Sequence, residues 1–351
     1  MRYIITGGCG FIGINVINKL IKNKNNKILN IDKLTYSANK KINREFVVKP
    51  NYKFLKLDIT NKIEIKKAIF SFKPNVIINL AAETHVDKSI DGPRLFVKTN
   101  ILGVFNLLEI SREYFYKIKN TKKKEKQFKF YHISTDEVFG DLKKNEKPFN
   151  EKSNFKPNSP YSSSKASGEM LVRAWAKTYG LPVIISNTSN NFGPFQHPEK
   201  LIPKIILKII QGDKIPIYGN GKQIRDWIYV EDHADAIIKI AKKGKLNKTY
   251  CIGSNNEMKN IDIIINIYEI LRSISNKYKF KLKKLDNLIT YVTDRPGHDF
   301  RYSIDNSKIL KEIDWNPKTS FKQGILKTVI WYIKNYEDLK KISNDRHGLL
   351  K

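Results

Sequence analysis

The sequence predicts an α/β fold: a doubly wound, mostly parallel sheet followed by a smaller C-terminal α/β domain. Apolar runs and amphipathic stretches alternate through the first half of the chain, as they do in βαβ units. A glycine turn from Gly7 to Gly13 separates the first apolar run from the first amphipathic stretch. The second apolar run ends in an acid, Asp32. This order of strand, glycine turn, helix and acidic strand end is typical of a Rossmann-type dinucleotide-binding domain.

The individual elements follow from local patterns along the chain. Short apolar runs predict strands at residues 2–6, 28–31, 52–57, 75–80, 128–133 and 183–186. Helices are expected after Thr60, after Arg94, and from Tyr161 to Tyr179, where Gly180 ends the helix. Beyond residue 187 the sequence becomes polar and rich in proline and glycine. We interpret segments such as 190–194 and 218–221 as loops of a second domain.

The predicted domain division follows from this change in amino-acid composition. The apolar run at Trp227 and the helix expected from Glu231 appear after the first loops, and we expect them to return to the first domain. The first, Rossmann domain therefore comprises residues 1–187 and 226–252. The second comprises residues 188–225 and 253–351.

The composition is strongly basic, with a net charge of +31 over 351 residues. The lysines are spread along the chain beside many asparagines and isoleucines, all with AT-rich codons, so base composition is a sufficient explanation. Nucleic-acid binding therefore stays a remote alternative, because binding proteins concentrate their charge on one face. The densest cluster, residues 117–126, is expected to be a solvated loop.

Several other classes of protein are disfavoured. No apolar run approaches the roughly 20 residues of a membrane span, and the first strand begins at Arg2, which leaves no room for a secretion signal. We therefore expect a cytoplasmic protein. The two cysteines, Cys9 and Cys251, are expected to be reduced thiols, and the six histidines have no metal-ligand spacing, so we expect no metal site.

The glycine turn and Asp32 together predict the cofactor. The spacing Gly7-x-x-Gly10-x-x-Gly13 lets a backbone approach a pyrophosphate at a helix N-terminus. Asp32 lies nineteen residues past Gly13, where a carboxylate accepts hydrogen bonds from ribose hydroxyls and repels a 2′-phosphate. The pattern therefore favours NAD over NADP.

Two residue pairs predict the chemistry. Asp136 and Glu137 follow the strand that ends near Ser134, and side chains at that end of a parallel strand face the ligand crevice. Tyr161 and Lys165 lie at i and i+4 on a predicted helix, where the ammonium can stabilise a phenolate. A phenol–lysine pair beside a carboxylic pair suggests oxidation at one carbon coupled to elimination at its neighbours.

These motifs resemble the extended short-chain dehydrogenase/reductase superfamily, and within it the nucleotide-sugar 4,6-dehydratases. The resemblance runs from Met1 to about Trp315. The Tyr161 and Lys165 pair marks only the superfamily, whereas the Thr135-Asp136-Glu137 triplet separates dehydratases from epimerases and decarboxylases. The resemblance also rests on the glycine turn and on the segments 32–36, 81–87, 134–140, 190–194, 223–227 and 294–299.

The resemblance implies a role for each catalytic residue. Tyr161, assisted by Lys165 and the nicotinamide charge, would take the proton of the sugar 4-hydroxyl, and Thr135 would hydrogen-bond the 4-oxygen. Glu137 would remove the C5 hydrogen, while a protonated Asp136 would protonate the departing 6-hydroxyl. Neighbouring carboxyls in opposite protonation states are possible where a shared, partly buried site disfavours two adjacent charges.

The resemblance also assigns binding positions and an oligomeric state. Arg225 and Arg295 are expected to clamp the pyrophosphate, and a homodimer is expected to form through the helices around residues 94–116 and 161–179. The cofactor positions are Gly7, Gly10, Phe11, Ile12, Gly13, Asp32, Lys33, Thr35, Asp58, Ile59, Ala81, Ala82, Thr99, Tyr161, Lys165 and Asn191. The substrate positions are Thr84, His85, Thr135, Asn190, Lys200, Leu201, Pro216, Tyr218, Arg225, Asn260, Arg295 and His298.

The resemblance implies conversion of dTDP-glucose to its 4-keto-6-deoxy product, a step of rhamnose-type deoxysugar biosynthesis. The sequence leaves two alternatives open within the same fold: a UDP-glucose 4,6-dehydratase and a nucleotide-sugar 4-epimerase. Base selection depends on a few loop contacts that the sequence does not resolve.

Overall fold

The computed structural model of the chain describes residues 1–119 and 128–343. The basic cluster expected to form a loop lies largely within residues 120–127, outside the described residues. The strands are β1 Arg2–Thr6, β2 Lys27–Asp32, β3 Tyr52–Lys56, β4 Val76–Asn79, β5 Lys129–Thr135, β6 Val183–Thr188, β7 Asn190–Phe192, β8 Ile215–Tyr218, β9 Ile224–Tyr229, β10 Lys248–Ile252, β11 Glu257–Lys259 and β12 Ile289–Val292.

The helices alternate with the strands in the first half and predominate towards the C-terminus. They are α1 Phe11–Leu20, α2 Lys40–Val47, α3 Lys62–Phe72, α4 Val86–Asp91, α5 Pro93–Phe96, α6 Val104–Lys119, α7 Pro160–Tyr179, α8 Leu201–Gln211, α9 Val230–Lys243, α10 Asn260–Tyr278, α11 Ser307–Ile313, α12 Phe321–Lys334 and α13 Tyr336–Ser343. A π-helical segment, Val97–Gly103, joins α5 to α6, so the helix predicted after Arg94 is interrupted. A 3₁₀ turn, Asp136–Phe139, follows β5. No described helix is long and apolar enough to cross a membrane.

Seven parallel strands form the main sheet in the order β10-β6-β5-β4-β1-β2-β3. The order reverses direction between β1 and β4, which is the switch point where doubly wound sheets bind ligands. The strands at the centre are apolar and buried on both faces, as a parallel sheet covered by helices requires. Helix α1 packs against α9, and α3 packs against α6, beside separate apolar clusters. The predicted Rossmann-type fold class is confirmed.

The C-terminal half adds two small sheets and a third apolar cluster. Strands β7, β9 and β11 form one sheet, and β8 pairs with β12 in the other. Helices α8, α10 and α12 pack together over this cluster. The interpretation of residues 190–192 as a loop was wrong: these residues form β7, which pairs with Trp227–Tyr229 of β9. Two asparagines followed by a phenylalanine carry no local strand signal, and only this distant pairing makes them a strand.

The segment after residue 226 divides between the two parts. Strand β9 lies in the three-stranded sheet, whereas α9 packs on α1 and β10 joins the edge of the main sheet. The domain boundaries at residues 188, 226 and 253 stay a prediction.

Candidate active site

A cavity opens at the carboxyl ends of β1, β2, β4, β5 and β6, around the switch point of the main sheet. It is lined by the predicted catalytic segment Thr135, Asp136 and Glu137. Every position that the resemblance assigns to the cofactor also lines it. These are Gly7, Gly10, Phe11, Ile12, Gly13, Asp32, Lys33, Thr35, Asp58, Ile59, Ala81, Ala82, Thr99, Tyr161, Lys165 and Asn191.

The glycine turn between β1 and α1 has no room for side chains. Gly7 has φ +73°, and a Cβ there would lie 2.7 Å from the Ala81 backbone nitrogen. A Cβ on Gly13 would lie 2.5 Å from the Gly7 carbonyl oxygen. Gly10 precedes α1 and offers no side-chain cap, so the first amides of the helix are not occupied by a capping side chain. This tight turn, with helix amides directed at the cavity, fits the pyrophosphate of a dinucleotide.

Asp32 is fixed at the end of β2 by two backbone amides. Its carboxylate accepts hydrogen bonds from the Cys9 amide at 2.9 Å and from the Leu34 amide at 2.7 Å. Burial raises the pKa of Asp32, and these two hydrogen bonds oppose that rise. The carboxylate is therefore held where it can accept from ribose hydroxyls, as the sequence predicts.

Tyr161 and Lys165 lie on the first turns of α7. Ser159 begins this helix with a capping box that involves Ser162. The Tyr161 amide donates to the Ser89 hydroxyl at 3.1 Å, and the Lys165 ammonium donates to the Ile133 carbonyl at 2.7 Å. The start of α7 is therefore hydrogen-bonded to both β5 and α4. These contacts fix the position of the Tyr161 side chain relative to the sheet.

The protein alone does not lower the pKa of the phenol. Burial raises the pKa of Tyr161, and the nearby Glu137 and Asp136 carboxyls raise it further. Burial also lowers the pKa of Lys165 to about 8. The phenolate role of Tyr161, expected from Lys165 together with the nicotinamide charge, stays a prediction.

The acid pair sits where β5 turns into the 3₁₀ segment. Asp136 is 1% exposed, and its Oδ1 accepts a hydrogen bond from the Thr135 hydroxyl at 3.2 Å. Its Oδ2 is buried without a hydrogen-bond partner. The Glu137 amide donates to the same Thr135 hydroxyl at 3.3 Å. Thr135 therefore organises both acids.

The two acids have different electrostatic surroundings. Burial raises the pKa of Asp136 well above its ordinary value, and Glu137 and Asp226 add to the rise. Burial also raises the pKa of Glu137, but three cations oppose this: Arg295, Arg225 and Lys200. Burial therefore favours protonation of Asp136, and the cations limit the rise at Glu137. The division of acid and base roles between them stays a prediction.

The predicted substrate positions divide into two groups. Thr84, Thr135, Asn190 and Lys200 line the cavity, and the Lys200 ammonium donates to the Thr84 carbonyl at 2.9 Å. The remaining positions lie outside the residues that line it. These are His85 at the start of α4, Leu201 at the start of α8, Pro216 and Tyr218 on β8, Arg225 on β9, Asn260 at the start of α10, and Arg295 and His298 after β12.

Arg225 and Arg295, the two arginines predicted to bind the pyrophosphate, both contact other groups of the protein. Arg225 is buried and donates to the carbonyls of Ile224 at 2.7 Å and Asp299 at 2.8 Å. Arg295 lies 3.3 Å from the Asp87 carboxylate. Both cations nevertheless act electrostatically on Glu137, so they lie on the acid-pair side of the cavity.

Sequence reasoning missed two buried acids. Glu199 lines the cavity and accepts a hydrogen bond from the Tyr36 hydroxyl at 2.8 Å. Glu169 accepts from the Asn187 side chain at 2.8 Å, and Asn187 also donates to the Thr135 carbonyl at 3.2 Å. Glu169 could have been found, because it continues the i, i+4 row of Tyr161 and Lys165. Glu199 has no such signal, because its partners Tyr36, His85 and Lys88 are distant in sequence.

Comparisons with known proteins agree with this geometry. Residues 4–328 match the family described as GDP-mannose 4,6 dehydratase. The chain is 45% identical to dTDP-glucose 4,6-dehydratase of Escherichia coli over 99% of this chain and 98% of that protein. Its structure resembles two crystal structures of dTDP-glucose 4,6-dehydratases. That from Bacillus anthracis, in complex with NAD, has a TM-score of 0.85 and 40% identity over 97% of this chain and 99% of that one.

The second structure is that of the enzyme DesIV from Streptomyces venezuelae, with NAD bound. Its TM-score is 0.86 and its identity 32%, over 97% of this chain and 100% of that one. The similarity extends over nearly the whole length in each comparison, and it includes the segments that carry the acid pair and the phenol. The chain therefore belongs to the dTDP-glucose 4,6-dehydratase family.

Proposed function

We propose that the protein is an NAD-dependent hydro-lyase that converts dTDP-glucose to dTDP-4-keto-6-deoxyglucose. One observation carries the proposal: Asp136 and Glu137 share a cavity with Tyr161, and burial raises the pKa of Asp136 strongly, whereas three cations oppose the rise at Glu137. An acid and a base held side by side suit elimination of water, and the phenol suits the oxidation that must precede it.

The cofactor would be held by the glycine turn and by Asp32, with Lys33, Thr99 and Lys165 along its length. Bound there, NAD would store the hydride removed from C4 until it is returned at C6. The Lys33 ammonium is positioned by Glu83 at 2.8 Å. These contacts would keep the cofactor in place throughout the cycle.

Each proton transfer of the reaction would then be made by a different side chain of the protein. Tyr161 takes the proton of the 4-hydroxyl, and Thr135 hydrogen-bonds the 4-oxygen. The resulting ketone acidifies the C5 hydrogen, which Glu137 removes, while Asp136 gives its proton to the departing 6-hydroxyl. Burial raises the pKa of the Asp136 carboxyl, which favours its protonated form.

The substrate nucleotide would lie towards β8, β9 and the segment after β12. Arg225 and Arg295 would face its pyrophosphate, with Arg295 exchanging its contact to Asp87 for a phosphate oxygen. A UDP-glucose 4,6-dehydratase uses the same chemistry and remains the alternative for the base. A 4-epimerase is disfavoured, because epimerisation needs no acid pair.

We also propose that the protein works as a homodimer in the cytoplasm. Helix α7 packs beside the π-helical segment and α6. Large apolar side chains are exposed on these neighbouring elements. They are Val97, Leu102, Phe105 and Met170. Such a surface suits burial against a second copy, which sedimentation equilibrium would detect as twice the chain mass of 40.8 kDa. The free cysteines Cys9 and Cys251 are both buried, as suits a reducing compartment.

The test is incubation of the purified protein with dTDP-glucose and with UDP-glucose in parallel, followed by mass spectrometry of the sugar nucleotides. We expect loss of one water from dTDP-glucose. Loss of water from UDP-glucose alone would change the substrate, and a product of unchanged mass with an inverted C4 would replace the dehydratase by an epimerase. No change with either sugar would contradict the proposal.

A further inference from the structure

Glu169 is a buried acid that the proposed mechanism does not use. It continues the helix row of Tyr161 and Lys165 on α7, but it lies outside the residues that line the cavity. Its side chain is completely buried. A buried carboxylate is costly unless it is paired and hydrogen-bonded, so its partners indicate its role. The inference drawn from them rests on the proposed function, in which Asp136 and Glu137 carry out the elimination.

The two carboxylate oxygens of Glu169 have different partners. Oε1 accepts hydrogen bonds from Arg173 Nη2 at 2.6 Å and from Arg173 Nε at 3.2 Å. Arg173 Nη2 also donates to the Thr249 hydroxyl of β10 at 3.0 Å. The other oxygen, Oε2, accepts from the side-chain amide of Asn187 at 2.8 Å. Arg173 therefore balances the buried charge, while the second oxygen is directed towards the sheet.

Asn187 connects Glu169 to the end of β5. It is completely buried on β6, opposite Ser134 in the strand register. Its Nδ2 donates both to Glu169 and to the Thr135 carbonyl, the latter at 3.2 Å. A side-chain amide nitrogen has two hydrogens, and these two acceptors use both of them. The contact fixes the carbonyl of the peptide that joins Thr135 to Asp136.

Helix α7 therefore holds the end of β5 at two carbonyls. Lys165 donates directly to the Ile133 carbonyl at 2.7 Å. Glu169 holds the Thr135 carbonyl through one side chain of β6. Residues four apart lie on one face of a helix, so the same row of α7 also carries Tyr161. One helix face thus sets the phenol and the start of the acid pair relative to each other.

We propose that Glu169 is a positioning residue for the elimination step. Through Asn187 it holds the peptide before Asp136, so that the two acids face C5 and C6 of the sugar. Glu169 exchanges no proton with the substrate. The Tyr161 amide is held separately, by a hydrogen bond to α4, so C4 oxidation depends less on Glu169 than the elimination does.

The test replaces Glu169 by methionine, which has similar length and no carboxylate acceptor. Arg173 is 38% exposed and can turn to solvent when its partner is lost. Stopped-flow absorbance of NAD-loaded enzyme mixed with dTDP-glucose follows reduced nicotinamide: its formation reports C4 oxidation, and its decay reports elimination with hydride return. Small misplacements of reacting groups cost up to about 100-fold in rate, so the decay should slow by about tenfold or more, while formation stays within about threefold of wild type.

Thr249→Val is the matched control. It removes a buried acceptor at the outer end of the same network and leaves the contact between Glu169 and Asn187 intact. Both phases and the affinity for NAD should stay at their wild-type values. A decay slowed in Thr249→Val as much as in Glu169→Met would show a general loss of rigidity and would overturn the positioning role.

The double variant Glu169→Met with Asn187→Leu tests the connection and also covers a failure of Glu169→Met to fold. Replacement of both hydrogen-bond partners by apolar groups leaves no unpaired amide donor between them. Because both residues act on one carbonyl, the double variant should decay no more slowly than either single variant. Additive slowing, equal slowing of formation and decay, or an unchanged decay would overturn the proposal. Absence of dehydrated product from wild type would instead contradict the proposed function.

Discussion

Replacement of Asp136 by asparagine should stop the reaction after its first chemical step. The substitution keeps the shape of the side chain, and the asparagine Oδ1 can still accept the Thr135 hydrogen bond seen at 3.2 Å. The amide nitrogen would occupy the site of Oδ2, which has no partner in the native protein either. The fold should therefore tolerate the change, while the proton for the departing 6-hydroxyl is lost.

The size of the effect follows from the role of the carboxyl. A positioned general acid contributes about 10²- to 10⁴-fold to the rate, which corresponds to about 3–5 kcal/mol of activation free energy. Asp136→Asn should lower kcat by that range. C4 oxidation should survive, because Tyr161 is unchanged.

The assay is stopped-flow absorbance of reduced nicotinamide after the variant is mixed with dTDP-glucose. Asp136→Asn should accumulate reduced cofactor on the enzyme, whereas Tyr161→Phe, the control, should give no signal because the first oxidation is blocked. Absence of the signal in Asp136→Asn, or the same signal in both variants, would refute the division of roles between the carboxyl and the phenol.

Three further outcomes are expected. Gly13→Ala should abolish measurable NAD binding by calorimetry, because its Cβ would lie 2.5 Å from the Gly7 carbonyl oxygen; unchanged affinity would contradict the tight turn. The wild-type protein should bind NAD more tightly than NADP, because Asp32 repels a 2′-phosphate, and the reverse order in the same assay would remove that role. Burial lowers the pKa of Lys165 from 10.5 to about 8. Between pH 8 and 10.5 this lysine is therefore protonated in the unfolded chain but largely neutral in the folded protein. The unfolding free energy of the cofactor-free protein should then rise with pH over this range. Denaturant titrations of Lys165→Met should show a smaller rise, and equal slopes would contradict the shift.

Local sequence signals were sufficient for the parts of the site that are built from consecutive residues. The glycine turn, Asp32 at the end of β2 and the segment Thr135 to Glu137 each combine a recognisable strand end with polar residues. The spacing of Tyr161 and Lys165 is a property of one helix. Because carboxyl ends of parallel strands share one edge of the sheet, these separate signals also predict that the residues meet in one cavity.

The sequence did not show contacts between distant segments. Glu199 accepts a hydrogen bond from Tyr36, which lies 163 residues earlier, and nothing near either residue indicates the pair. The guanidinium of Arg225 is turned towards backbone carbonyls of the segment after β12, whereas motif position alone suggests a side chain free for phosphate. The electrostatic difference between Asp136 and Glu137 likewise depends on distant cations, namely Lys200, Arg225 and Arg295.

The most direct test of the central claim follows a deuterium label placed at C4 of dTDP-glucose, with the reaction run in ordinary water. If hydride leaves C4, is held within the site and returns to C6 of the same sugar, the label must appear on C6 of the product, while C5 acquires a solvent proton through Glu137. A mixture of labelled and unlabelled substrate should give no crossover. Label returned to C4 would instead indicate an epimerase, and label lost to free reduced cofactor would indicate an ordinary dehydrogenase; either result would contradict the roles of Asp136 and Glu137.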